Sequence, residues 1–208
     1  MEDILGLYTQ PYDPKRPVVC MDETSKQLVS EVRLPLALRP GQPARYDHEY
    51  RREGVCNAFM FFEPLRGWRA VDIRARRTKQ DWVWGMKKLV EAHYPEAEVV
   101  RVVMDNLNTH NPAAFYEFFA PVEAKRLLDR LELHYTPKHA SWLNMAEMEL
   151  SVLSRQCLNQ RIPDQQQMQR DVRAWARVRN KHCKTVDWQF KTEEARIRLK
   201  RLYPSYSG

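Results

Sequence analysis

The run EVVRVVMDN, residues 98–106, constrains the fold more than any other stretch of this chain. From Val99 to Met104 only Arg101 interrupts the apolar residues, and the run is too short for a buried helix. A strand covered on both faces reads this way, which calls for a sheet with helices on either side. The run also ends on an acid, Asp105, with Asn106 beside it and His110 five residues on. A second continuous apolar run, Val18 to Met21, likewise ends on Asp22.

Around these two runs the pattern divides. The first part reads as sequence-local strands. Val18–Met21 is one strand and Gln27–Val32 the next, with a turn between them. The segment LRPGQPARYDHEYRREG reads as loop, and Val55–Phe62 is a further strand. Another follows the Pro64–Gly67 turn. Beyond Thr78 the spacing becomes helical. Thr78 is a helix cap, Trp82, Met86, Leu89 and Val90 share one face, and Pro95 stops the element. The 98–106 strand follows, then a helix capped by Asn111-Pro112 and restarted at Pro121. LELHYTP is a short strand. SWLNMAEMELSVLSRQCL is a helix with an apolar stripe at Leu143, Ala146, Leu150, Leu153 and Cys157. Two basic helices close the chain, the first capped by Asp164. Antiparallel strands followed by βαβ units predict a mixed sheet with helices on both faces, an α/β fold.

At 208 residues, 43% hydrophobic and 29% charged, the composition is that of an ordinary soluble globular protein. No apolar run reaches the ~20 residues that cross a bilayer. The N-terminus lacks the build of a signal peptide, so a cytoplasmic protein is expected. The four cysteines form no CxxC pair and read as reduced, mostly buried thiols rather than a zinc site. Charge is uneven. Residues 151–208 hold 13 Lys+Arg against 5 Asp+Glu, while the first 150 hold 21 against 22. A basic last quarter on a near-neutral body suits a polyanion, most simply nucleic acid, or a solvated helix face.

In open α/β sheets, ligands gather at the carboxyl ends of strands. If the strands ending on Asp22 and Asp105 are neighbours, their carboxylates repel unless a proton or cation separates them. A divalent ion is the simple remedy, and a third carboxylate would allow two ions. The late helix offers Glu147 and Glu149. Helical arithmetic separates them poorly, although Glu147 shares a polar edge with Asn144 and Ser151.

The phrases VVCMDET, VVMDNLNTH and LHYTPKHASWLNMAEMELS resemble the three acidic motifs of DDE transposases of the bacterial insertion-sequence branch related to mariner elements. The resemblance takes in nearly the whole chain, including PLALRPGQPARYDHEYRREG, FMFFEPLRGWR and the ending VDWQF…ARIRLKRLYP. The 41 residues between Asp105 and Glu147 fit that family's second interval and select Glu147. The resemblance implies a ribonuclease-H-like domain over residues 1–160 and a basic helical extension over 161–208 packed on it. No helix-turn-helix module is expected ahead of Asp22. It implies a catalytic and metal-binding triad of Asp22, Asp105 and Glu147 holding two Mg²⁺ or Mn²⁺ ions. The reaction would be strand cleavage and strand transfer at transposon ends by a homodimer on double-stranded DNA.

Asn106, His110, Lys138, His139, Trp142 and Asn144 match the motifs and are expected to support the acids or touch DNA. Phosphate contacts are expected from Arg74, Arg76, Arg77, Lys79, Arg196, Arg198, Lys200 and Arg201. The competing expectations are a non-catalytic DNA-binding or assembly remnant and a stand-alone nuclease of the same fold.

Overall fold

The structure is a computed structural model that describes residues 1–33, 36, 39–43, 47–138 and 140–203. Its centre is a five-stranded sheet of β1 (Val18–Glu31), β2 (Tyr50–Glu63), β3 (Trp68–Arg74), β4 (Val100–Met104) and β5 (Leu131–Tyr135) in the order β3-β2-β1-β4-β5. β1, β2 and β3 are antiparallel neighbours, while β4 and β5 pair in parallel with β1 and with each other.

Side chains along a strand alternate between faces, and each face carries its own core. Val19, Met21, Phe59, Phe61, Val102 and Met104 point to one side. They pack under α2 (Lys79–Lys88), α3 (Ala114–Phe118) and α4 (Pro121–Leu128). Val18, Cys20, Ala58, Met60, Phe62 and Val103 point to the other. There they meet α1 (Glu2–Tyr8), α5 (Met145–Leu153), α6 (Gln165–Lys181) and α7 (Thr192–Arg198). The mixed sheet with helices on both faces is therefore present.

Several elements differ from their sequence reading. Val18–Met21 and Gln27–Val32 are not two strands with a turn. They belong to one 14-residue strand, β1, paired with β2 from Cys20↔Phe62 to Glu31↔Tyr50. The polar stretch Glu23–Lys26 that suggested a turn lies in this long ribbon. There, ladder hydrogen bonds rather than burial hold the backbone. For the same reason Tyr50–Gly54, taken as loop, is the exposed start of β2. The rest of that loop falls partly outside the described residues. α3 starts at Ala114 rather than Pro112, and the Asn111 side chain accepts instead from Ala113 N in the preceding turn. α1 had no counterpart in the sequence reading. It buries Ile4, Leu5, Leu7 and Tyr8, but seven residues carry too little periodicity to be recognised.

Thr78 caps α2 through a reciprocal capping box with Asp81, satisfying two end donors at once. Helical winding continues past α2 as a π-turn over Leu89–His93. Cys20, Cys56 and Cys157 are buried and Cys183 exposed, all as free thiols.

The β2–β3 turn depends on Gly67, at φ +64°. A Cβ there would lie 2.6 Å from the Cys183 carbonyl carbon and 2.8 Å from Lys184 C, both backbone atoms after α6. We expect Gly67→Ala to lower stability by about 2–4 kcal/mol, from left-handed strain plus overpacking. Urea unfolding checks this, and a wild-type midpoint would refute the close approach.

Candidate active site

The parallel pairing of β1 and β4 sets Val18 opposite Arg101, Val19 opposite Val102 and Cys20 opposite Val103. Carried two residues further, the same register sets Asp22 level with Asp105. β4 ends at Met104, so Asp105 stands at a carboxyl end as expected. Asp22 does not: it lies within β1, where the parallel pairing has stopped but the antiparallel ladder continues, opposite Met60. By alternation Asp22 follows Cys20 and Asp105 follows Val103, both on the face that α5 covers.

A 3₁₀ turn, Ser141–Leu143, precedes α5, and the helix proper begins only at Met145. The break is Asn144, which caps the helix by accepting from Ala146 N (3.1 Å). Its Nδ2 donates to Met21 O (2.8 Å), tying the helix start to the residue before Asp22. Tyr8 donates to Leu143 O (2.7 Å) from α1. These two bonds fix where α5 begins, and Glu147 lies in its first turn.

The charges of Asp105 and Glu147 both reach Asp22. The Asp22 carboxyl is pushed up from 3.8 to about 7, chiefly by burial and then by the charges of Asp105, Glu147 and Glu23; the Glu23 amide opposes this. That amide donates to Asp22 Oδ1 (2.8 Å). Among the described residues no three such side chains form a closed metal cage. Donor type and charge both fit divalent cations, which favour hard oxygen ligands.

The raised Asp22 pKa has a sign that can be tested. Below about pH 4 the group is protonated whether folded or unfolded. Between there and pH 7 the folded state keeps a proton that the unfolded state releases, so stability falls as pH rises, and above 7 the full cost is present. Asp22→Asn should therefore stabilise the metal-free chain, by of the order of 1–3 kcal/mol at pH 8. Near pH 4 the gain should vanish. Thermal unfolding across pH reads this out, and a gain independent of pH would contradict the assignment.

His110 is buried and lies between Asp105 and Glu23. Its Nδ1 lies 2.8 Å from Asp105 Oδ1, and its Nε2 lies 3.2 Å from Glu23 Oε2. Burial disfavours the imidazolium, but the bonds to Asp105 and Glu23 outweigh it and push the pKa up to about 9. At neutral pH the ring thus stands as a cation between the two acids, and its Nδ1 also meets the Asp105 backbone carbonyl (3.1 Å). Trp82 stacks on it, centroids 5.5 Å apart. Glu23 escaped the sequence reading, and its only signal there was the pair of adjacent acids Asp22-Glu23.

Glu149 is not a site residue. It is buried, and its Oε1 lies 2.9 Å from Nε of the buried Arg69. Arg179 of α6 donates to both carboxylate oxygens (3.0 and 2.9 Å).

Asn144 is only 1% exposed and makes the buried bonds above, so it fixes the start of α5 and cannot touch DNA. Asn106 and Lys138 are exposed, and His139 lies outside the described residues. Trp142 stacks on Trp188 (6.3 Å, 12°) and meets the Phe190 edge, with 40% of its surface still open.

Of the expected phosphate contacts, Arg74 lies between Asp72 and Asp81 (3.6 Å each), and Arg77 Nε is 3.8 Å from Glu23. Lys79 binds Glu117 (2.9 Å) and Arg196 binds Glu2 (2.7 Å). Arg76, Arg198, Lys200 and Arg201 are exposed. A cleft of roughly 840 Å³ between β3 and α6 lies two strands from Asp22 and contains Asp72, Arg74 and Asp81.

A sheet of this order, with acids level on its adjacent central strands and a third acid on the helix across them, defines a ribonuclease-H-like catalytic domain. The chain belongs to the DDE superfamily endonucleases, whose family model matches residues 17–169. In fold it is similar to the Mos1 mariner paired end complex with Mn, at TM-score 0.55 and 16% identity over 85% of this chain and 52% of that one. The Mos1 strand transfer complex gives 0.57 and 15% over 85% and 51%. The Mos1 paired end complex with Mg gives 0.54 and 16% over 91% and 60%. This chain therefore spans about half the length of the Mos1 chains. Comparison with curated proteins finds no significant match. Among the described residues no helix is long and apolar enough to cross a membrane.

Proposed function

We propose that the chain is the catalytic domain of a DDE transposase of an insertion sequence related to mariner elements. It cleaves DNA strands at transposon ends and joins them to target DNA. The observation that carries this is the β1–β4 register, which sets Asp22 level with Asp105, together with the action of Glu147 on Asp22 from the first turn of α5. Asp22, Asp105 and Glu147 would hold two Mg²⁺ or Mn²⁺ ions. When bound, such ions supply Lewis acidity at both oxygens of an in-line displacement at phosphorus.

The protein's own groups prepare this arrangement. His110 pairs with one oxygen of Asp105, and the Glu23 amide holds one oxygen of Asp22. Asn144 sets the height of Glu147 relative to β1. In cleavage, water attacks phosphorus and the strand's 3′-oxygen leaves. In joining, that 3′-hydroxyl attacks target DNA and a target oxygen leaves, so no covalent protein intermediate is needed. Arg76, Lys138, Arg198, Lys200 and Arg201 offer phosphate contacts that position DNA without reading its sequence. The chain works as a homodimer on two DNA ends, in the cytoplasm.

Two measurements test the reading. Mn²⁺ titration by calorimetry should detect binding to the wild type and its loss in Asp105→Ala with folding intact. Equal binding by both proteins would remove the metal site. Pre-cut transposon ends incubated with target DNA should give joined products, whereas cutting without joining would mark a nuclease of the same fold.

A further inference from the structure

We propose that the groove leading from the acids between β1 and the α5 helix is the track for the reacting DNA strand, with Arg155 as its phosphate-binding residue. This rests on the phosphodiester chemistry proposed above and adds a place for the substrate beyond the reacting bond.

α5 and the π-turn that extends it, Ser154–Leu158, run alongside β1 and are pinned to it at two points. Asn144 donates to Met21 O near the acids, and Lys26 Nζ donates to Leu158 O (2.6 Å) further along. Strand and helix therefore leave the acids in the same direction. On β1 every second side chain faces the helix, in the order Asp22, Thr24, Lys26. On the helix, Ser151, Ser154 and Arg155 follow Glu147 at four, seven and eight residues, on one side.

Between the two elements lies a groove of roughly 390 Å³, lined by Thr24, Lys26, Ser154, Arg155, Leu158 and Asn159 among its walls. Its lining offers hydroxyls, an amide and two cations, and no carboxylate. That composition suits a polyanion leaving a triple-acid centre, because only the reacting phosphate can be neutralised by ions at the acids. The next phosphates need donors from the protein. The Lys26 ammonium is taken up by Leu158 O, whereas Arg155 is exposed and pairs with no carboxylate among the described residues.

Strand rise places Thr24 about 7 Å beyond Asp22, and helix rise places Arg155 about 12 Å beyond Glu147. At about 3.4 Å per nucleotide, Arg155 meets the phosphate three or four steps from the reacting one.

The test uses the full chain and a fluorescent duplex with a pre-cut end, measured by anisotropy without metal. Single methylphosphonate linkages, which remove one phosphate charge, are placed one to four steps on each side of the reacting position. Arg155→Ala should bind the unmodified duplex about 5- to 10-fold more weakly. Its log–log salt slope should be smaller by about one, and Arg155→Lys should recover part of the loss. A neutral linkage three or four steps away should weaken the wild type similarly and leave Arg155→Ala unchanged.

Equal sensitivity of both proteins to every linkage would overturn the track, as would a wild type that does not bind the duplex. Failure of the phosphodiester chemistry looks different: the linkage pattern is present but the wild type never cuts, and then the track stands without the reaction.

Discussion

Glu147→Gln is expected to abolish strand cleavage and joining, by ~10³-fold or more, while leaving the melting temperature of the metal-free chain unchanged or slightly raised. A thousandfold loss corresponds to ~4 kcal/mol of transition-state stabilisation, a reasonable share for one carboxylate of an ion-holding set. The amide keeps the shape of the side chain and removes its charge. Glu147 is partly exposed in the first turn of α5 and makes no ion pair among the described residues. Folding therefore has little to lose. Removing the Glu147 charge also removes one of the charges that push the Asp22 carboxyl up. Product formation on a pre-cut duplex, beside a melting curve of the same preparation, decides the matter. Cleavage within tenfold of wild type would exclude Glu147 from the reaction.

Two residues along the same helix the outcome should reverse. Glu149→Ala is expected to cost about 3–5 kcal/mol of stability, the usual consequence of stranding a buried charge. For a chain of this size the melting temperature should fall by about 6–20 °C. Arg69 is the charge left behind. It is 1% exposed, lies 2.9 Å from Glu149 and sits over the Phe62 ring. Its other nitrogens donate to Asn180 Oδ1 and Lys184 O, so it cannot swing out to water without breaking those bonds. Replacing both partners together, Arg69→Met with Glu149→Leu, should recover much of the loss, since a packed apolar pair is often as stable as a buried ion pair. If Glu149→Ala melts like the wild type, Arg69 is not a trapped charge and the junction of α5, β3 and α6 has been misjudged.

This contrast marks where the sequence stopped being legible. The polar edge of the helix favoured Glu147, but composition alone left both acids open, and only a motif interval separated them. The partners that make Glu149 structural, Arg69 and Arg179, lie 80 and 30 residues away, and no local periodicity signals such contacts. Asn144 was legible as a motif residue but not in its role, because its bond to Met21 joins positions 123 apart. β1 was divided in two for the opposite reason. Its polar middle carries no hydrophobic signal, and the antiparallel ladder that keeps it extended comes from β2.

The sequence by itself determined the short-range features: the doubly buried strand at 100–104, the caps at Thr78 and Asp164, the apolar stripe of the late helix, and acids following two apolar runs. Each is set by propensity and patterning within a few residues. Only the tertiary structure decided that the β1–β4 register carries Asp22 level with Asp105, that His110 lies against both Asp105 and Glu23, and that α5 begins at Met145 with Glu147 in its first turn. Those outcomes depend on strand register and on buried hydrogen bonds between distant segments. Register is chosen by the fit of two whole cores against one sheet, which no single stretch of chain encodes.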